Sequence, residues 1–332
     1  MPRSDVLDIV QGHYVSELVW MLQSRAVLAQ LRSWRTVEQI ADPNGWDRNL
    51  LRTLLEFLCK TTDLLQKDGN AKYRIARRYK LYSQLGFYLD FYRGAYGNSA
   101  NHIAAALRHP KKHGGLPDQR FLARAYDGIG DAAASTSMVE IIRALNVRHL
   151  LDLGCGPAVL LSALARQDTS FIGWGIERSA EMCQVARRNS RKTGIGRRVK
   201  VIHGDVTKIA LLLTSKQRNQ VEALHAGSLL NEFFGAGPKR AVSYIKQLAR
   251  LFPRRVLLVS DYFSRVNDTR VNRADLRLNL LHDFAQVLSG QGLPPSRTSE
   301  WEEIYQFAGV RLIRGYEGVH RGIAWFHHVV QL

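Results

Sequence analysis

The stretch His149-Leu150-Leu151-Asp152-Leu153-Gly154-Cys155-Gly156-Pro157-Ala158 decides the fold. It is a short apolar run carrying one acid, then a tight glycine turn, then a helix expected from about Val159 to Arg166. A buried strand that ends in glycines lets a ligand approach the backbone, because no Cβ stands in the way. The spacing is Gly-Cys-Gly with an acid two residues before the first glycine. It departs from the Gly-x-Gly-x-x-Gly of dinucleotide folds, since Val159 occupies the third glycine position.

Working outward, a second apolar run covers Phe171 to Ile176 and ends at Glu177, and a helix is expected from Ala180 to Thr193. A third run, Val199-Lys200-Val201-Ile202-His203-Gly204-Asp205, again ends on an acid. Strand, helix, strand, helix, strand is the pattern of a parallel sheet, with ligands bound beyond the C-terminal strand ends. Asp152, Glu177 and Asp205 all fall at that edge, where a strand-tip acid can accept hydrogen bonds from ribose hydroxyls.

The order Asp152-Leu153-Gly154-Cys155-Gly156, Glu177, Gly204-Asp205 resembles a class I S-adenosylmethionine-dependent methyltransferase, over about Arg148 to Leu332. The resemblance implies that Gly154 and Gly156 pass under the amino-acid part of the cofactor and that Asp152 holds its ammonium directly or through water. It further implies that Glu177 takes the ribose hydroxyls and Asp205 the adenine amine, with Val206 against the ring. The expected fold is α/β: a Rossmann-like, seven-stranded sheet. Its remaining strands are read at Val221 to Ala226, Arg255 to Ser260, Val310 to Tyr316 and Ile323 to Val330. Gly227-Ser228 closes the fourth of the seven, and Ser228 is taken as a further cofactor contact.

The first part of the chain is mostly helical. Apolar residues recur at helical spacing from Val6 to Leu31, and Thr36 with Gln39 makes a capping box. Asp47 to Lys60 is an amphipathic helix with Leu50, Leu51, Leu54, Leu55 and Leu58 assigned to its inner face. Two short runs around Asp68-Gly69-Asn70 form a β-hairpin. Helices followed by a hairpin make a winged-helix pattern. The putting of only Arg48, Arg52 and Lys60 on its third helix argues against DNA reading. The arrangement is similar to the N-terminal domain of small-molecule O-methyltransferases, which implies a homodimer. An aromatic-rich stretch, Tyr79 to Tyr96, follows and is read as packing or as pocket lining. The expected division is a dimerisation and substrate-covering domain over 1–140 and an S-adenosylmethionine-binding domain over 141–332.

Bulk properties bound the function. The chain has 332 residues, 45% hydrophobic and 23% charged, as expected of a globular protein with room for two domains. No apolar stretch nears the roughly 18 residues of a membrane span. Met1 to Asp5 lacks the basic-then-apolar order of a signal peptide, and the three cysteines have no metal spacing. A cytoplasmic protein without a metal centre or membrane attachment is expected. The formal charge of +18 raises nucleic acid as a partner. However, the densest basic stretch, Arg187 to Lys200, falls on the second helix of the α/β half, where a solvated face is expected.

Methyl transfer from a sulfonium is an in-line displacement, so the protein mainly aligns its reactants and removes a proton where the nucleophile requires it. Similar O-methyltransferases place a His-Asp pair in the substrate pocket. The segment after the fourth strand here, Ser228-Leu229-Leu230-Asn231-Glu232-Phe233, holds no histidine. Asn231 is therefore a candidate for orienting the acceptor, Glu232 for the base, and His282 of His282-Asp283 for a further catalytic contact. The tandem His327-His328 lies on a strand, where neighbours face opposite ways, and is given no chemistry. The expected activity is methylation of a small organic acceptor in specialised metabolite biosynthesis, with oxygen ahead of carbon and nitrogen. A nucleic-acid methyltransferase or binder, or an enzyme that retains the cofactor for another reaction, are the alternatives.

Overall fold

The computed structural model describes residues 6–76, 83–109, 115–129, 136–269, 276–320 and 322–332. The chain forms two compact units, Met1–Gly94 and Ala95–Leu332. The division comes earlier than the 140/141 boundary read from the sequence. Helices Gln119–Ile129 and Thr136–Ala144 make their contacts with the second unit, the first against helix Ala180–Lys192 and the second against the sheet. Tyr79 and Tyr82 of the aromatic-rich stretch lie outside the described residues.

In the first unit, helices Val6–Ser24, Val27–Gln30, Val37–Ala41 and Arg48–Thr61 precede a hairpin of β1 (Leu65–Lys67) and β2 (Tyr73–Ile75). The capping box is present: Gln39 N–H donates to Thr36 Oγ1 at 3.3 Å, and Thr36 N–H to Gln39 Oε1 at 3.0 Å. Asp47 caps helix Arg48–Thr61 through Leu50 N–H. That helix buries Leu51, Leu55 and Leu58, whereas Leu50, assigned to the inner face, is exposed. A step of roughly 100° per residue turns Leu50 away from the stripe its neighbours form. Arg48 and Arg52 are held by Asp42 and Glu38, so both arginines of this helix are already partnered.

The second unit is built on seven strands: β3 (His149–Leu153), β4 (Ile172–Glu177), β5 (Val199–His203), β6 (Ala223–Gly227), β7 (Val256–Tyr262), β8 (Arg311–His320) and β9 (Ile323–Gln331). Their order is β5-β4-β3-β6-β7-β9-β8; β9 runs antiparallel to both of its neighbours, and the other six strands share one direction. Central strands buried on both faces need near-continuous apolar runs, which β3 and β6 supply. One face packs Leu150, Ala223, Leu258 and Val329 under helices Thr136–Ala144 and Val159–Gln167. The other packs Leu151, Leu224, Leu257 and Phe326 under helices Lys239–Leu251 and Thr298–Ala308. Strand order reverses between β3 and β6, so the crevice for a ligand opens beyond Leu153 and Gly227.

Candidate active site at the strand tips

The turn after β3 is fastened to the tip of β4. Gly154 and Cys155 N–H both donate to Ile176 O, at 2.8 and 3.1 Å. Gly154 and Gly156 take φ of +68° and +52°, the left-handed region that favours glycine. A Cβ built on Gly156 meets no atom within 4 Å, so the backbone there faces open space. Glu177 binds the turn from below: Gly156 N–H donates to one carboxylate oxygen at 2.9 Å and Ser179 N–H to the other at 2.7 Å. The acid thus fixes the glycine turn in relation to β4.

Asp205 stands at the end of β5 and accepts from Thr207 N–H and Oγ1–H, both at 2.8 Å. Desolvation opposes its charge, but the Thr207 bonds together with the nearby Lys208 and Arg178 outweigh it and hold the carboxyl below its usual range. Val206 beside it is buried. Ser228, after β6, has φ +47° and donates its N–H to Ser260 O at 2.7 Å. The positive φ turns the chain sharply out of the sheet, so Ser228 is exposed at the crevice.

Asp152 is buried, and its Oδ1 takes His225 Nδ1 at 2.7 Å. The two residues are direct register partners on β3 and β6, so their side chains share one face. This partner was missed in the sequence. An ionisable residue inside the buried run Ala223-Leu224-His225-Ala226 was the available signal.

Beyond β6, Asn231 is 2% exposed, and its Oδ1 has no hydrogen-bond partner among the described residues. Its N–H donates to Asp261 Oδ2 at 3.1 Å, while Tyr262 N–H takes Asp261 Oδ1. Burial pushes the Asp261 carboxyl up to about 7 against these two donors. Glu232 is half-buried and paired with Arg178 at 2.9 Å. Desolvation raises its pKa, Arg178 lowers it, and the nearby Glu177 raises it again. The structure thus turns Glu232 toward the Glu177 side of the crevice. Tyr126, on helix Gln119–Ile129, feels both acids.

His282 sits on helix Arg277–Leu288 with its ring edge-on to Tyr262, centroids 4.7 Å apart. Burial lowers its pKa to about 4, so the ring is neutral at physiological pH and a weak proton acceptor. Gln286, one turn on, has an Oε1 without a partner among the described residues. His327 and His328 bond on opposite faces of β9: His327 to Ser260 and Ser137, His328 to Tyr305 and Thr298. Among the described residues, no group of three or more His, Cys, Asp or Glu side chains is arranged to hold a metal ion. Nor is any helix there long and apolar enough to cross a membrane.

Residues 147–309, just under half of the chain, match the family model described as a methyltransferase domain. Several solved structures share the fold over the whole chain. Mitomycin 7-O-methyltransferase MmcR superposes with a TM-score of 0.75 at 16% identity, covering 98% of this chain and 97% of its own. PigF, solved with SAH, gives 0.76 at 15% identity over 100% of both chains. N,N-8-amino-8-demethyl-D-riboflavin dimethyltransferase (RosA) from Streptomyces davawensis gives 0.61 at 19% identity over 99% of both. No curated protein sequence matches the chain. The match falls within the second unit, whose seven-stranded sheet has the Rossmann-like fold of these solved structures.

Proposed function

We propose that this chain transfers a methyl group from S-adenosylmethionine to a small organic acceptor, with oxygen the first choice of acceptor atom. The observation that carries the reading is the open backbone at Gly156, set at the sheet's switch point among three strand-tip acids. Asp152 would receive the cofactor's ammonium, Glu177 the ribose and Asp205 the adenine amine, with Val206 and Ser228 alongside. The bound sulfonium supplies an electrophilic methyl group. The protein's part is alignment and exclusion of water.

Asn231 would orient the acceptor through its unpartnered carbonyl oxygen, which can accept a hydrogen bond from an O–H or N–H. An amide accepts no proton. Glu232 is then the base candidate closest in sequence, and His282 a neutral wall of the pocket. This favours a second reading in which the acceptor is an amine or an activated carbon that needs no base. RosA, which shares the fold, is an N,N-8-amino-8-demethyl-D-riboflavin dimethyltransferase, which supports the reading.

Helix Val6–Ser24 leaves Val6, Leu7, Ile9, Val10 and Tyr14 exposed. An apolar stripe of this kind supports a homodimer formed through the N-terminal helices. Arg187, Arg188, Arg191 and Lys192 lie exposed on helix Ala180–Lys192, with Arg188 paired to Asp127. This is a solvated face, in keeping with a cytoplasmic enzyme of specialised metabolism that takes a small molecule and no nucleic acid.

Calorimetric titration with S-adenosylmethionine and S-adenosylhomocysteine tests the reading. Micromolar binding of both is expected, and S-adenosylhomocysteine should accumulate when an acceptor is supplied. Absence of binding by either ligand would overturn the proposal.

A further inference from the structure

His225 belongs to a line of polar side chains that crosses four strands on one face of the sheet. Asp152 pairs in register with His225, Gly227 with Ser260, and Ser260 with His327. The contacts run from Asp152 Oδ1 to His225 Nδ1 at 2.7 Å and from His225 Nε2 to Ser260 Oγ at 3.2 Å. They continue from Ser260 Oγ to His327 Nδ1 at 3.0 Å and from His327 Nε2 to Ser137 Oγ at 2.8 Å. Asp152, His225 and His327 are all more than nine-tenths buried. Gly227 makes room for the line, since a Cβ there would come within 2.6 Å of His225 Cε1.

One assignment of protons satisfies every contact with both rings neutral. Ser137 donates to His327 Nε2, His327 Nδ1–H to Ser260, Ser260 Oγ–H to His225 Nε2, and His225 Nδ1–H to Asp152. Burial, and then the neighbouring His225, lowers the His327 pKa to about 4, in keeping with a neutral ring. The line ends on one carboxylate oxygen. Asp152 Oδ2 takes no protein hydrogen bond among the described residues.

We infer that His225 is a positioning residue for cofactor binding: held through Ser260 and His327, its Nδ1 fixes Asp152 Oδ1 and leaves Oδ2 open to the ligand's ammonium. This rests on the cofactor reading above. A hydrogen bond to a charged group commonly changes an equilibrium by roughly ten-fold or more.

The test compares two ligands that share the thioadenosine part and differ in the amino-acid part. Calorimetry would give Kd for S-adenosylhomocysteine and for 5′-deoxy-5′-methylthioadenosine, with folding checked by circular dichroism. In His225→Phe, Kd for S-adenosylhomocysteine should rise by about ten-fold or more, with the thioadenosine within about two-fold of wild type. His225→Asn, which returns a donor near the Nδ1 position, should recover most of the loss. Equal weakening of both ligands, or no change in their ratio, would overturn the inference. If His225→Phe does not fold, Ser260→Ala removes a single hydroxyl and must move the ratio in the same direction; an unmoved ratio overturns it. Wild-type protein that binds neither ligand would instead bring down the cofactor reading, and this inference with it.

Discussion

Asp152, Glu177 and Asp205 line one side of the switch point, and each has its carboxylate held by named donors: an imidazole, two backbone N–H groups, and Thr207. Across the crevice, Asn231 and Gln286 carry buried oxygens without a partner among the described residues, and desolvation raises the pKa of Asp261, Asp283 and Glu232. A buried acceptor left unsatisfied costs about 1–3 kcal/mol, so a protein retains one where a ligand completes it. On the proposed reading, the first side is a finished socket for the cofactor and the second is completed by the acceptor. One half of the site can therefore be preorganised while the other stays matched to a particular molecule.

The largest effect should come from breaking the finished side. Glu177→Ala would release both Gly156 N–H and Ser179 N–H, and Asp152→Ala would remove the carboxylate at β3. Affinity for S-adenosylhomocysteine should fall on the order of 100-fold, about 3 kcal/mol, in either variant. Calorimetry checks this, and unchanged affinity in both would remove the socket from these strand tips.

The two sides should also respond to pH with opposite sign. Asp205 is held below its ordinary value, so its contribution to stability is present above about 3.8 and is lost as pH falls. Asp261 is raised to about 7 from 3.8, so the folded state holds its proton longer than the unfolded one. Its contribution is present below 3.8 and is lost as pH rises through about 7. Between pH 5 and pH 7 that loss is about 2 kcal/mol. Urea denaturation across this range should show a flatter pH dependence in Asp261→Asn than in wild type, even if that variant is less stable throughout. An identical slope would mean that Asp261 does not titrate in this window.

A smaller effect is expected where the acceptor completes the site. Asn231→Ala should lower turnover about ten-fold by loosening the acceptor, with S-adenosylhomocysteine affinity within about two-fold of wild type. A matching loss of cofactor affinity would move Asn231 to the finished side.

Much of this contrast could be read from the sequence on one side only. The glycine turn, the three acids and the seven strands follow from local patterns: an apolar run, a short turn, an acid at the tip. Ser228 was placed for the same reason. The acceptor side depends on which segments meet, and residues 231, 262 and 282 are brought together by the fold rather than by spacing. His225 could be seen as an odd residue in a buried strand, but its partners Ser260, His327 and Ser137 come from three distant segments. The division at Gly94 was likewise hidden, because what helices Gln119–Ile129 and Thr136–Ala144 cover is set by segments distant in the chain.

Glu232 is where the two sides touch, and it should give the smallest effect. Its sequence position beside Asn231 makes it the natural base, and burial raises its pKa toward that role. However, Arg178 holds it at 2.9 Å, and Glu177 lies near, on the cofactor side. A carboxylate engaged by a guanidinium must give up that pair to accept a proton, which makes it a poor base in place. Glu232→Gln keeps the shape and can still accept from Arg178, so turnover should fall by no more than about three-fold. Steady-state kinetics across pH decides it. A loss of 100-fold or more, together with disappearance of an acidic limb in the kcat profile, would return Glu232 to the acceptor side as the base. A small, pH-independent change would leave it as the partner that steers Arg178, and the acceptor would then be one that gives up its proton without help.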